Sequence, residues 1–354
     1  MAIAAGTVTL ADYAQMSNSP LVQAVTYSLI LYSNVLQDVP LIEKKSLIIN
    51  GARFEGNLPT VNWSQLNAEG VTTKGTPTAY QEQAYIIRNY IDVDKFLVEE
   101  ENAIVDPRAV QTEAYLKALT YDMNYKFFKN DHVTGDQNAP VGIRYRINNG
   151  GIFGVRPENL INAGGLDLTQ ATLTNGTGGQ WNGNKLIEFL DQLLWSVDSP
   201  EGQGVVLYMN EVMRRRLTFA VRQLGTSGGF SVMQDQFGRS IEMYKGAIIR
   251  DPGYRADQQT RIILGPPAAS IPNQYGEDAN GNDTTNNTSP LYTSIYAVNF
   301  DTDHFMGWQF APPNVQDLGL IYNGVIYRTL IDWAVGFNNA STRSLGRLYG
   351  IKIA

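Results

Sequence analysis

The chain has 354 residues, 43% of them hydrophobic and only 17% charged, with a formal net charge of −7. That length allows two or three packed units, and so thin a supply of surface charge favours a subunit covered within an assembly over a freely diffusing monomer. The acidic balance, with no Lys/Arg run longer than Arg214, Arg215 and Arg216, excludes a sequence-specific nucleic-acid binder, and the absence of cysteine excludes disulfides, thiolate metal sites and a cysteine nucleophile.

Residues 1–19 are small and polar, carry a single charge at Asp12, and read as an extended arm. Leu21, Val25, Leu29, Tyr32 and Leu36 then fall on one helical face, and the opposite face holds few charges. No Lys or Arg precedes Lys44, so the basic region of a secretory signal is missing. The apolar stretch 21–36 is interrupted by polar residues and short for a bilayer span, so neither export nor a membrane is expected.

Segment 47–54 reads as a strand broken by the turn dipeptide Asn50-Gly51, 56–83 as a polar excursion, and 84–93 as a returning strand. Together they describe a protruding hairpin. With ~10 residues per arm at ~3.3 Å each it reaches on the order of 30 Å, and a two-stranded ribbon of that length needs a partner surface.

The stretch 106–130 carries the strongest helix signal in the chain. Asp106 is placed as N-cap, Pro107 sits at the first helical position, and no other Gly or Pro appears until Gly135. Val110, Ala114, Ala118, Tyr121, Tyr125 and Phe128 form its apolar stripe, widened by Leu116, Leu119, Met123 and Phe127, while Lys126 and Lys129 offset the dipole in the last turns. At 1.5 Å per residue the helix is roughly 35 Å long and can act as a spine.

Beyond it, 141–147 is expected as a short strand and 152–181 as surface loops rich in Gly, Asn and Thr. Helices are expected at 185–197, with Asn184 as N-cap, and after Asn210; strands at 205–209, 240–250, 261–264 and 294–300 complete an α/β region. The polar run 273–290 reads as an exposed excursion. Strands around Asn323-Gly324 within 318–337, and at 345–353, close the chain.

Catalytic chemistry finds little support. Asp301 and Asp303 flank His304, one of only two histidines with His132, but no ordered ligand spacing accompanies them. Asp278, Asn280 and Asn282 imitate the start of a calcium loop, yet Asp283 stands where that loop needs Gly and Ser289 where it needs Glu. Gly176–Gly179 and Gly225–Gly229 lack the lysine and the spacing of phosphate and dinucleotide loops. The arginines Arg214, Arg215, Arg216 and Arg222 read as a solvated helix face with ion pairs.

The order of parts resembles the major capsid proteins of tailed bacteriophages with the HK97-like fold. The match lies in TLADYAQ (9–15), in Gly56-Asn57-Leu58-Pro59-Thr60 with Trp63, Leu66-Asn67 and Gly70-Val71, and in Asp92-Val93-Asp94-Lys95 before the spine. GAIIRDPGYR (246–255) and IYRTLIDWAVGF (326–337) add weaker support. The resemblance implies an α+β fold: an N-terminal arm at 1–45, an extended loop at 46–97, a peripheral domain at 98–180 with spine helix 107–130, an axial domain at 181–317, and a return to the peripheral domain at 318–354.

It also implies a non-enzymatic structural protein without cofactor or metal. Such a protein self-assembles into hexamers and pentamers of an icosahedral shell, formed in the host cytoplasm and enclosing double-stranded DNA without specific binding. Asn57, Pro59, Trp63, Leu66 and Lys74 of the extended loop are the implied inter-subunit contacts. Some family members crosslink a loop lysine to a neighbour's asparagine, for which Lys74 with Asn338 or Asn339 are the candidates.

The implied partners are a separate scaffolding protein, a portal and decoration proteins; no charged helical prefix precedes the arm, and Met1 argues against a removed one. Encapsulin compartments share the fold and are the alternative, with a phage tail or adhesion protein and a hydrolase as readings from other classes.

Overall fold

A computed structural model describes residues 29, 33–53, 58–99, 106–169, 182–199, 202, 204–223, 229–234, 240–264, 276–283, 291–322 and 324–353. The expected arm lies outside the described residues, as does most of the expected helix over 21–36; Leu29 is helical, but Ser33 is extended and caps a separate short helix that begins at Asn34, so one helix does not run through to Leu36. In chain order come α1 (Asn34–Asp38), β1 (Leu41–Glu43), β2 (Ile48–Arg53), β3 (Thr78–Gln83), β4 (Tyr85–Asp94), α2 (Lys95–Val98), α3 (Pro107–Lys129), α4 (Ile143–Asn148), α5 (Gly150–Phe153) and β5 (Leu160–Asp167). There follow α6 (Asn182–Ser196), β6 (Val205–Tyr208), α7 (Glu211–Gln223), β7 (Phe230–Gln234), β8 (Ser240–Tyr244), β9 (Ala247–Arg250), β10 (Tyr292–Asn299), β11 (Phe305–Gln309), β12 (Asn314–Ile321), β13 (Ile326–Asn339) and β14 (Leu345–Lys352).

Helix α3 organises the molecule. The Asp106 side chain accepts from the Arg108 amide, Pro107 opens the first turn, and Lys126 and Lys129 lie in the last. Its second half buries Leu116, Leu119, Met123, Phe127 and Phe128, whereas Val110, Ala114 and Ala118 are exposed, so only part of the expected stripe faces the core. Phe127 meets Phe337 and Phe305 at ring-centroid distances of 5.1 and 6.0 Å, while its neighbour Phe128 meets Tyr208 and Tyr296 at 5.0 and 5.6 Å. These are favourable edge-on separations. Consecutive residues of one helix thereby pin two different sheets together.

The first sheet runs β1-β11-β13-β12, and β4 lies along the other edge of the 14-residue β13. The second has seven strands in the order β5-β14-β10-β6-β9-β8-β7. All four residues of β6 are buried: Val206 and Tyr208 join the core shared with α3 and the first sheet, while Val205 and Leu207 join Leu190, Leu193, Met213 and Leu217 of α6 and α7 on the opposite face. That unbroken apolar run is the signature of a strand covered on both sides. In the sheets, β14 sits among the strands of 160–299, whereas β11 and β12 pair with β13, so each sheet draws on both sides of residue 318.

Several expected elements take another form. Strand 47–54 does not pair with 84–93: β2 pairs with β3, and β4 pairs with β13 from Asp94–Ile326 to Tyr85–Val335. The hairpin arms are therefore six residues each, and Asn50-Gly51 lies inside β2. Gly51 is needed there because a Cβ would overlap the Tyr80 ring across the pair.

Segment 141–147 is helical in α4, which buries Ile143, Arg146 and Ile147 on one face, and the expected loop 152–181 contains β5. Segment 240–250 is a tight hairpin turning at Lys245 (φ 46) and Gly246 (φ 88), a left-handed pair. Segment 261–264 forms only an isolated bridge from Arg261 to Tyr254.

Candidate inter-subunit surface

Between β2 and β3 the described residues 58–77 form neither strand nor helix, only a turn at Leu66 and Asn67. Trp63 is 97% and Leu66 93% exposed, and Leu58, Val61 and Val71 are also exposed. Pro59 and Lys74 are on the same surface; Asn57 lies outside the described residues. So many large apolar side chains exposed on one loop single it out as a candidate contact surface.

The base of that loop, by contrast, is fixed. Arg146, 2% exposed, holds both carboxylate oxygens of Glu82, one at 3.0 Å, and its Nε donates to the Val141 carbonyl at 3.0 Å. The Arg53 guanidinium stacks on the Tyr80 ring at 4.0 Å and donates to the Asn339 carbonyl. Planar, charge-assisted contacts of this kind set orientation as well as energy.

A groove with a cavity volume near 580 Å³ opens beside this base, walled by Leu47, Ile86, Phe310 and Pro312 with Trp333 below. Its polar lining is chiefly Arg88 and Asp332, 3.9 Å apart; Asp332 Oδ1 is buried and has no hydrogen-bond partner among the described residues. A second exposed apolar patch lies at the far end of the same sheet, where Phe96, Leu97, Leu320, Tyr322 and Val325 surround the Arg328–Asp92 pair. Arg328 Nε and Nη2 sit 2.7 and 2.6 Å from the Asp92 oxygens, which lowers the Asp92 pKa.

The crosslink candidates are not brought together in one chain. Lys74 is on the exposed loop, whereas Asn338 and Asn339 are 2% and 0% exposed at the end of β13. Asn339 Nδ2 donates to the Phe153 carbonyl at 3.1 Å, and its Oδ1 accepts from Ser344. Either asparagine must be uncovered before a neighbour's lysine can reach it.

His304 has a buried Nδ1 without a partner among the described residues, and its neighbour Asp301 accepts from Thr302 instead. His132 Nε2 lies 2.9 Å from the Ala139 carbonyl with its ring edge-on to Tyr85. Arg214 pairs with Glu242 at 3.0 Å and Arg215 with Glu211 at 3.7 Å.

The 273–290 region departs most from expectation. Within the described part, Glu277 is fully buried, with Lys129 at 3.2 Å, Arg347 at 3.2 Å and Ser294 donating to it. Asp283 takes Lys129 at 2.9 Å and Arg144 at 2.6 Å, and Asp278 caps the turn through the amides of Asn280 and Asn282. Burial would raise the Glu277 carboxyl, but Lys129, Arg347 and Arg144 outweigh it and lower its pKa. The same contest, against Lys129 and Arg144, holds Asp283 at about 2. No sequence signal marks this cluster, because Lys129, Glu277 and Arg347 come from three distant segments.

Comparison with known proteins bears on both fold and family. The family described as Major capsid protein GP7 matches residues 21–174, a span that includes the exposed loop and the whole spine helix. That match covers less than half of the chain, and over most of its length the chain has the HK97-like fold of capsid and encapsulin structures. Among solved structures, the chain resembles one from Microbacterium phage Oxtober96 at 14% identity, covering 91% of each chain with a TM-score of 0.53.

It also resembles the SrpI encapsulin of Synechococcus elongatus at 12% identity, covering 96% of this chain and 94% of that one with a TM-score of 0.53. The capsid of a native GTA particle matches at 10% identity, 90% of both chains and a TM-score of 0.51. At such identities the likeness is one of fold. No curated protein sequence matches the chain.

Proposed function

We propose that this chain is a major capsid protein that assembles into hexamers and pentamers and closes an icosahedral shell around double-stranded phage DNA. The observation that carries the reading is the loop 58–77: apolar, exposed, mounted on a base held by Arg146 and Arg53, and inside the span matched by the capsid family. Pro59, Trp63, Leu66 and Lys74, with the neighbouring Asn57, are its inter-subunit contacts. A net charge of −7 suits a wall that encloses DNA without gripping it. A separate scaffolding protein, a portal and decoration proteins are the expected partners, with assembly in the host cytoplasm. No catalytic step enters this function.

The test is negative-stain electron microscopy of the protein expressed alone and with its neighbouring genes, beside a sizing column. Closed shells, rings or tubes are expected; a well-behaved monomer in both preparations sinks the proposal. The encapsulin likeness favours one second reading, a shell around protein cargo. Nuclease-protected DNA inside particles assembled with the neighbouring genes supports the phage reading, and particles filled with an enzyme support the other.

A further inference from the structure

Strand β13 outlasts its neighbour. β4 pairs with it only as far as Tyr85–Val335, whereas β13 runs on to Asn339, held on its other edge by β11. Along this last stretch the edge that β4 leaves is met by the β2–β3 ribbon and by two arginines. The Gln83 carbonyl at the end of β3 lies against Gly336, where a Cβ would come within 2.9 Å of it. Arg146 reaches the Phe337 carbonyl at 3.4 Å while it holds Glu82 of β3. Arg53 of β2 donates to the Asn339 carbonyl, and its guanidinium passes so close to Gly154 that a Cβ there would overlap it.

These fastenings are spaced. Only Ala84 separates β3 from β4, so a ribbon held at one place could still swing about that joint. Glu82 stands opposite Ile49, and Arg53 lies four residues further along β2, so the two arginine contacts are roughly 13 Å apart on the ribbon. Two contacts at that separation fix a direction, which one contact cannot do. Each is also stiff: Arg146 donates to the Val141 carbonyl at 3.0 Å and lies 5.1 Å from the centre of the Phe153 ring, and Arg53 stacks on Tyr80.

We propose that the Arg146 and Arg53 fastenings form a two-point clamp that fixes, already in the free subunit, the direction in which loop 58–77 leaves the body, with Arg146 and Arg53 as its positioning residues. A ribbon clamped beforehand does not have to be ordered during association, which lowers the cost of association. Only the consequence for assembly rests on the shell-forming reading: the clamp narrows the range of angles at which the loop is presented.

The native chain has no cysteine, so introduced ones can be labelled specifically. Spin labels at Thr76→Cys, just beyond the ribbon, and at Gln111→Cys, exposed on α3, report the loop's direction as a distance distribution in the unassembled subunit. A single narrow peak is expected. Arg146→Met combined with Glu82→Met removes one fastening without leaving a buried charge unpaired, and Arg53→Met removes the other. Each is expected to lose the narrow peak while circular dichroism stays that of the parent. Arg146→Lys keeps the charge but not the planar fork, and it is expected to broaden the peak as well. Arg53→Met carries the test if the inner pair proves necessary for folding. A parent distribution already as broad as the variants', or variants as narrow as the parent, overturns the proposal.

Electron microscopy separates the clamp from the shell-forming reading. Particles of mixed size or open sheets are expected from the variants, against uniform shells from the parent. Uniform shells from a variant with a broad distribution would show that the neighbour sets the angle, and would overturn the clamp's part in assembly. Absence of shells from wild-type protein removes the shell-forming reading and leaves the distance result standing.

Discussion

Loop 58–77 and segment 276–283 both read as polar connections, yet they end in opposite environments. The first leaves Trp63 and Leu66 in water; the second sinks Glu277 into the interior at 0% exposure. The difference lies in what each meets. Glu277 finds Lys129 at the end of the spine helix and Arg347 in β14, on elements already fixed by two cores, so its charge is neutralised where it stands. The loop leaves its large apolar side chains exposed among the described residues, although its base is held to the body by Glu82–Arg146 and Tyr80–Arg53. Buried charge here marks a joint within the subunit, and exposed apolar surface is what the proposed joint between subunits would cover.

The largest way to test that division is to remove the loop. Deleting residues 56–78 is expected to leave a soluble, folded subunit, by circular dichroism and sizing, that forms no closed shells. Normal particles from the deletion would break the comparison at once. Next in size is Glu277→Ala, which takes the carboxylate from Arg347 in the interior and leaves Lys129 with Asp283 alone. Breaking a buried pair costs about 3–5 kcal/mol, a large share of a typical domain's stability of roughly 5–15 kcal/mol. A denaturant midpoint unchanged from wild type would show that water already reaches the cluster.

A smaller effect follows from pH. Asp283 titrates at about 2 in the folded protein against about 3.9 in an unfolded chain. Its folded pKa is depressed, so the stability it adds is complete above about pH 4 and is lost as pH falls toward 2. Asp283→Asn is therefore expected to lower the urea midpoint at pH 7, and the gap to wild type is expected to close between pH 4 and pH 2. A gap that stays constant over that range would mean the Lys129 and Arg144 contacts do not depend on its charge.

How much of this was legible depended on whether the partner of a residue was local. The cap at Asp106 and Pro107, the leucine spacing of α6, the Asn210 cap whose Oδ1 accepts from the Met213 amide, and the β12–β13 turn near Gly324 are all set within a few residues, and the structure follows them. Pairing was less readable. Nothing in Gln83-Ala84-Tyr85 announces that β3 ends and β4 leaves for β13, because that choice is made by a strand more than 230 positions away.

Segment 141–147 fits both periods, with Ile143, Tyr145 and Ile147 alternating, yet Ile143, Arg146 and Ile147 also share a helical face. The Arg146–Glu82 pair belongs to the helical arrangement, and tertiary contact of that kind overrides local pattern. The groove was invisible for the same reason, since its walls come from residues 47, 86, 310–314 and 332–334.

The spine helix holds the smallest effect, at Val110, and the sharpest form of the comparison, because one expected apolar stripe is buried in its second half and exposed in its first. Met123 is 4% exposed among both sheets, and Met123→Ala is expected to cost about 2–5 kcal/mol through the cavity it leaves. Val110, on the same expected stripe, is 45% exposed, and Val110→Ala is expected to shift the subunit's stability by no more than about 0.5 kcal/mol.

Alanine is also the better helix former, so any residual change in the free subunit should be slightly stabilising. If Val110→Ala nevertheless lowers the denaturant midpoint of the unassembled subunit as far as Met123→Ala does, the first half of the helix is buried within the chain. If it leaves the subunit unchanged but raises the concentration needed for assembly, that half of the stripe faces a neighbour.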